Sequence, residues 1–351
     1  MHPDNTQVLA KDEQLNQLLK PLNKFLAMRE VTELTINKPT EVWTKSPIGW
    51  TQHAAPELTM NYLTALATAM IVYNNLQPAP IVSVTLPNGE RGQIVMPPAC
   101  IAGTLSMAIR KHSMIVKTLE ELDDAGMFAN FIDVSPHKLT EQQLTEYAFQ
   151  QDLTKLQELE IELLKLKEQK LIKQFLGQAV LNKRNIMIAG KTGSGKTTFA
   201  RSLIKKVPVN ERLITIEDVH ELYLDDHPNK VHMLYGSNDA RVSASDCLES
   251  CMRQSPDRIF LAELRGDEAW EYLNSLNTGH PGSITTIHAN SALQTFERLA
   301  TLIKKTQVGL QIDLPTIKSV LYSTIDIVLF VQDFQLTELF YDPIFAMSKI
   351  S

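Results

Sequence analysis

Ile186-Met187-Ile188-Ala189-Gly190-Lys191-Thr192-Gly193-Ser194-Gly195-Lys196-Thr197-Thr198 is the stretch around which the rest of the chain is organised. Its four leading apolar residues have the length of a buried strand and stop at Gly190, and helical spacing begins at Lys196. Between them lies G-x-x-x-x-G-K-[ST], with Gly190, Gly195, Lys196 and Thr197 in the defining places. Backbone N–H groups can wrap a phosphate chain only where no side chain intervenes, and Gly190, Gly193 and Gly195 leave that approach open. The following helix turns its N-terminal N–H groups and its dipole towards the anion. Residues 190–198 are therefore expected to bind nucleotide: Lys196 sets an ammonium near the β and γ phosphates, and the Thr197 hydroxyl holds Mg²⁺.

Outward from this loop, 351 residues exceed what one core fills comfortably, so two domains and a connector are expected. The composition, 44% hydrophobic and 21% charged, is that of an ordinary globular protein. A formal net charge of −6 argues against broad, sequence-independent binding to nucleic acid, which needs a strongly positive surface. Cys100, Cys247 and Cys251 are too few for a disulfide framework, which fits a reducing compartment. Cys247 and Cys251 share one helical face without further ligands nearby and read as core thiols. Residues 1–10 lack an apolar h-region, and no apolar run approaches the ~18 residues of a membrane span. The expected location is the cytoplasm, with membrane association at most peripheral.

Residues 1–135 read as an α+β domain. Helical spacing covers 14–28 and 60–73, and strand-like runs lie at 33–36, 41–44, 81–86, 93–96 and 104–110, with Pro87-Asn88-Gly89 as a hairpin turn. Residues 136–175 form a helical linker rich in Leu, Gln, Glu and Lys, where Leu156, Leu159, Leu163 and Leu166 make a short seam. From 176 to 351 strand-like runs at 185–189, 213–216, 231–235, 258–262, 283–287 and 325–331 alternate with helical patterns. Such alternation predicts an α/β domain with a mainly parallel sheet covered on both faces and ligands at the carboxyl ends of its strands.

Three further motifs fall at such ends. Arg258-Ile259-Phe260-Leu261-Ala262-Glu263 is an apolar strand ending in an acid, where a carboxylate can polarise the attacking water or hold Mg²⁺ through water. The strand 213–216 runs into Glu217-Asp218-Val219-His220-Glu221, and Glu217 and Glu221 are both candidates for water activation. His280 enters and His288 leaves the strand of 283–287, so either could sense a γ-phosphate by hydrogen bonds.

In their order along the chain, the glycine loop, the acidic box of 217–221, the strand ending at Glu263 and the histidine box of 280–288 resemble the secretion ATPases of type IV secretion, type II secretion and type IV pilus machines. Residues 255–268, Ser-Pro-Asp-Arg-Ile-Phe-Leu-Ala-Glu-Leu-Arg-Gly-Asp-Glu, look like the type IV secretion and conjugation branch. So, more weakly, do Asn88-Gly89-Glu90-Arg91, Met96-Pro97-Pro98 and Ile109-Arg110-Lys111. The resemblance implies a RecA-like ATPase domain and a homohexameric ring with ATP and Mg²⁺ between the two domains. Arg91 and Arg110 match the N-terminal arginines that reach the phosphates, and Arg253 and Arg265 are further candidates. It also implies other secretion-channel ATPases and inner-membrane channel subunits as partners, at the inner face of the cell membrane. A pilus extension or retraction motor and a DNA translocase built on the same core are the alternative readings.

Overall fold

The computed structural model describes residues 5–46, 48–111, 116–140, 142–144, 158–236 and 242–349. By its internal packing the chain divides into two compact units, Met1–Met114 and Ile115–Ser351. Composition alone put that boundary near residue 135.

In the first unit α1 (Asn5–Leu26) and α2 (Met60–Tyr73) accompany β1 (Glu33–Ile36), β2 (Glu41–Ser46), β3 (Gly49–Ala54), β4 (Ile81–Thr85), β5 (Arg91–Val95) and β6 (Ser106–Arg110). The strands form one antiparallel sheet in the order β3-β2-β1-β6-β5-β4. Alternation decides its faces: Leu34, Ile36, Ile94, Met107 and Ile109 join the buried cluster with Leu22 of α1 and Leu63 and Leu66 of α2. Thr59 caps α2 by accepting from Tyr62 N. At its other end Asn74 accepts from Thr85 N and donates to Thr85 O, which ties the helix to β4. β3 was not legible in the sequence because none of its six residues is buried: an exposed edge strand carries no apolar alternation.

The second unit opens with α3 (Leu119–Asp124) and β7 (Ile132–Asp133), then α4 (Glu158–Glu168) and α5 (Ile172–Leu181). α4 packs along one side, as its leucine seam predicts: Leu163 and Leu164 lie in the same buried cluster as Ile186 and Ile188. Leu156 falls outside the described residues. Lys167, buried in α4, donates to Tyr341 O at 2.8 Å and pairs with Asp133 at 2.9 Å, so the segment is fastened to the unit by polar contacts too.

The strands that follow are β8 (Ile186–Ala189), β9 (Leu213–Glu217), β10 (Lys230–Leu234), β11 (Arg258–Leu261), β12 (Glu263–Leu264), β13 (Ile284–Ile287), β14 (Ile327–Gln332) and β15 (Gln335–Tyr341). Between them lie α6 (Lys196–Ile204), α7 (Ala244–Met252), α8 (Ala269–Asn277), α9 (Ala292–Ile303), α10 (Gln307–Gln311) and α11 (Leu314–Thr324), with α12 (Pro343–Met347) last. Two sheets result, β10-β9-β11 and β12-β13-β8-β14-β15-β7, parallel except where β14 meets β15. Hydroxyls close the gap between them. Ser283 Oγ, Thr285 Oγ1 and Thr286 Oγ1 donate to the carbonyls of Ile259, Leu261 and Ala262, doing the work of ladder bonds between β11 and β13. Both faces are covered, with Ile188 and Phe199 on one side and Met187, Leu261 and Phe296 on the other. Cys247 and Cys251 are buried in the second cluster as core thiols, and burial pushes the Cys251 thiol up to about 12.

Arg258, at the start of β11, has a fully buried side chain and a two-pronged pair with Glu211 at 2.6 and 3.0 Å, and it also donates to Val180 O. Removing one partner of a buried pair leaves an uncompensated charge, which costs about 3–5 kcal/mol. Urea unfolding of Glu211→Ala is expected to show a loss of that size, and adding Arg258→Met to be less destabilising than Glu211→Ala alone.

Among the described residues no helix is long and apolar enough to cross a membrane.

Candidate active site

β8, buried at every residue between β13 and β14, delivers the chain into the glycine loop. A side chain at Gly190 would put its Cβ 2.3 Å from Val331 O, so only glycine lets β8 end against β14. Gly193 and Gly195 have φ of 78° and 98°, the left-handed region in which other residues are strained. Gly195 is the N-cap of α6 and no side chain caps that helix, so its first N–H groups face into the loop. Lys196 is buried. Its Nζ donates to Gly190 O at 2.9 Å and Lys191 O at 2.8 Å, and lies 3.4 Å from His288 Nδ1. Ser194 Oγ is buried inside the loop with no hydrogen-bond partner among the described residues. A buried orphan hydroxyl, uncapped helix N–H groups and an ammonium at one concave turn suit a polyphosphate, and half-buried Thr197 stands on the first turn of α6 where a cation beside it would be held.

The other motifs meet this loop at the carboxyl ends of the strands. Glu263, on β12 opposite Thr286 of β13, has Oε1 2.8 Å from His288 Nε2 and Oε2 2.7 Å from Arg265 Nη2. Arg265 Nη1 reaches Asp218 Oδ2 at 2.5 Å. A continuous polar chain therefore runs Lys196, His288, Glu263, Arg265, Asp218. Burial and the Lys196 charge depress the pKa of His288, outweighing the Glu263 carboxylate, so the ring is neutral at pH 7. Lys196 can donate to Nδ1 of a neutral ring, whose Nε2 lies beside Glu263 Oε1 within ion-pair distance but without a hydrogen bond to it. Burial works against the charge on Arg265, but hydrogen bonds and charge from Glu263 and Asp218 outweigh it and hold the guanidinium protonated. Glu268 fixes the turn beyond by accepting from the N–H groups of Arg265 and Gly266.

Glu217 ends β9 and is wholly buried. Its Oε2 accepts from Glu221 N at 2.6 Å and Leu222 N at 2.7 Å, and its Oε1 accepts from Thr215 Oγ1 at 2.7 Å. Burial raises its pKa, yet hydrogen bonds from His220, His232 and those two N–H groups overcome the effect and hold it well below the usual carboxylate range. Glu217 thus anchors the loop that carries Asp218 to Arg265, while the Glu221 side chain is half-buried on the same loop.

His280 and Arg253 are not brought to this edge. His280 precedes β13 and binds Pro256 O at 2.9 Å at the amino ends of the strands, whereas His288 leaves β13 at the carboxyl ends. Of the two histidines, His288 is the one that lies beside Lys196 of the glycine loop. Arg253 is exposed after α7, paired with Glu249 one turn back. Arg91 and Arg110, within the first unit, sit directly opposite each other on β5 and β6, on the face that the apolar residues leave. Arg110 also stands in register with Glu33 of β1, whose carboxylate offsets the repulsion between the two like charges.

Two residues escaped the sequence reading. Asp218 follows Glu217, and strand alternation alone sends the two carboxylates to opposite sides. Phe334, 60% exposed, has φ of 60° in the β14–β15 turn and donates its N–H to Ser194 O. A Cβ on Gly195 would lie 2.7 Å from its ring, so an aromatic face stands beside the loop. No local pattern marks it.

Comparison with known proteins bears on this geometry. The type II/IV secretion system protein family matches residues 140–332. The type IV secretion system protein VirB11 of Brucella suis biovar 1 is 40% identical over 356 aligned positions, covering 97% of this chain and 93% of that protein. The chain belongs to the VirB11 family. The crystal structure of the VirB11 ATPase from the Brucella suis type IV secretion system in complex with sulphate matches with a TM-score of 0.53 at 37% identity, covering 98% of this chain and 99% of that one. The pilus retraction motor PilT with bound ADP shares the fold, with a TM-score of 0.54 at 16% identity over 89% of this chain and 77% of its own. VirB11 membership, the P-loop on a mainly parallel sheet and the α+β first unit agree with the resemblance read from residues 186–198 and 255–268.

Proposed function

We propose that this chain is a Mg²⁺-dependent ATP hydrolase that works as a homohexamer powering a type IV secretion or conjugation channel. The observation that carries it is the chain from Lys196 through His288 to Glu263 and Arg265 at the lip of the glycine loop. Loop N–H groups and Lys196 bind the β and γ phosphates. Thr197 and Glu263 are the residues that would hold Mg²⁺, and the cation would supply charge neutralisation at the phosphates.

Glu263 orients and polarises the attacking water, and His288 links that carboxylate to the ammonium that senses the γ-phosphate. Removing negative charge from the γ-position on hydrolysis changes what Lys196 and His288 bind, which is how the product state is read out. Glu217 acts through the loop it anchors, and Glu221 stands beside it as a second carboxylate for the water. Arg91 and Arg110 close on the phosphates from the first unit, so that nucleotide state becomes domain movement. The partners are other channel ATPases and inner-membrane channel subunits at the cytoplasmic face. The similarity to VirB11 proteins over nearly the whole chain favours this reading over a pilus motor, and the net charge of −6 favours it over a DNA translocase.

The test is turnover of Arg91→Ala and Arg110→Ala full-length proteins beside the unaltered one, with nucleotide binding measured in parallel. Turnover is expected to fall at least roughly tenfold in each, the loss of one charge-assisted contact to a phosphate, while the glycine loop still binds nucleotide. Unchanged turnover in both would remove the first unit from the site.

A further inference from the structure

We infer that Glu217, His220 and His232 form a binding site for one divalent transition-metal ion of the Zn²⁺ class, separate from the Mg²⁺ of the nucleotide. One ligand atom from each of Glu217, His220 and His232 lies within 4.8 Å of the other two. Oε1 is 3.2 Å from His220 Nδ1 and 3.5 Å from His232 Nδ1. Ligand bonds of about 2.0–2.1 Å in a tetrahedron put neighbouring donor atoms about 3.3 Å apart, so both spacings to the carboxylate suit an ion.

Each ligand is set by an independent part of the fold. His232 lies on β10 in parallel register with Thr215 of β9, and Glu217 stands two residues along the same face of β9. His220 immediately precedes Glu221 and Leu222, whose N–H groups are spent on Glu217 Oε2. That leaves Oε1 to face the two imidazoles. The rings pack edge to face at 4.3 Å, and His220 is also braced against Tyr223 at 4.6 Å. Thr215 Oγ1, 2.7 Å from Oε1 and 2.8 Å from His232 Nδ1, closes the inner side, and the partly exposed His220 marks the side from which an ion and a water ligand enter.

The donor set chooses the metal. Two imidazoles and one carboxylate suit Zn²⁺, Co²⁺, Ni²⁺ or Cu²⁺, whereas Mg²⁺ and Ca²⁺ want oxygen ligands. Without an ion, His220 Nδ1 and the Thr215 hydroxyl both face Oε1, and His232 Nδ1 lies 2.8 Å from Thr215 Oγ1. An ion would instead take lone pairs from all three ligand atoms. Bound there, it would join β9, β10 and the loop that presents Asp218 to Arg265.

The experiment is a Co²⁺ titration of the metal-stripped full-length protein in excess Mg²⁺, followed by visible absorption and repeated with Zn²⁺ by calorimetry. One ion per chain is expected, with the intense visible bands of a low-symmetry four-coordinate site. His232→Ala and His220→Ala should each weaken it by more than roughly tenfold, since even an outer-shell change costs about 10–100-fold. Circular dichroism checks folding, and the partly exposed position of His220 makes His220→Ala the decisive variant if His232→Ala does not fold. No stoichiometric Co²⁺ binding at micromolar concentration, or binding unchanged in His220→Ala, would overturn the site.

Discussion

Lys196→Ala protein is expected to hydrolyse ATP at less than about one-hundredth of the unaltered rate, the scale of losing a preorganised electrostatic contact that strengthens in the transition state. The reason lies in where the ammonium sits. Lys196 is buried, its Nζ within hydrogen-bond distance of two carbonyls of its own loop and 3.4 Å from His288. Alanine removes the charge that meets the phosphates, orphans the Gly190 and Lys191 carbonyls and cuts the link to Glu263 through His288. Nucleotide affinity is expected to fall together with turnover, because the contact is made in both ground and transition states. Parallel measurement of turnover and of equilibrium nucleotide binding checks both; full turnover in the variant would place the phosphates elsewhere.

Glu263→Gln is expected to separate the two properties. The substitution keeps the shape and the contacts that a neutral amide can still make to Arg265 and His288, but it removes the negative charge that orients water. Turnover should drop by about a hundred- to a thousandfold, with ATP bound at least as well as before. Arg265 retains Asp218 at 2.5 Å, so the cluster is not left with an unpaired cation. Quench-flow of bound ATP and the thermal midpoint of the variant distinguish lost chemistry from lost structure. A Glu263→Gln protein that turns over normally would move the water-orienting role to Glu217 or Glu221.

Legibility from sequence followed the physics of each element. The glycine loop could be read because its demands are local: a buried strand, positions that only glycine can occupy, and an uncapped helix start. The apolar strands 186–189, 213–217 and 258–261 were visible as runs because they are buried on both faces, and α2 was recovered from Met60 to Tyr73 by its spacing. β3 was invisible because nothing on it is buried, and β7 because two residues carry no period. Within the site, Glu263 and His288 were found at strand ends, but their contact was not, since it depends on β12 and β13 being neighbours. The two histidines of residues 280–288 looked equivalent in sequence. Only the direction of β13 assigns one to each edge of the sheet. Arg265, read from sequence as a candidate for the phosphate cluster, has its guanidinium bridging Glu263 and Asp218.

Native mass spectrometry of Glu263→Gln protein with ATP and Mg²⁺ decides whether a nucleotide-charged ring depends on Glu263 for hydrolysis. The predicted result is an assembly of six chains that retains ATP and releases no ADP over the time in which the unaltered protein turns over. A monomer carrying ATP, or a hexamer that converts it to ADP at the unaltered rate, would contradict it.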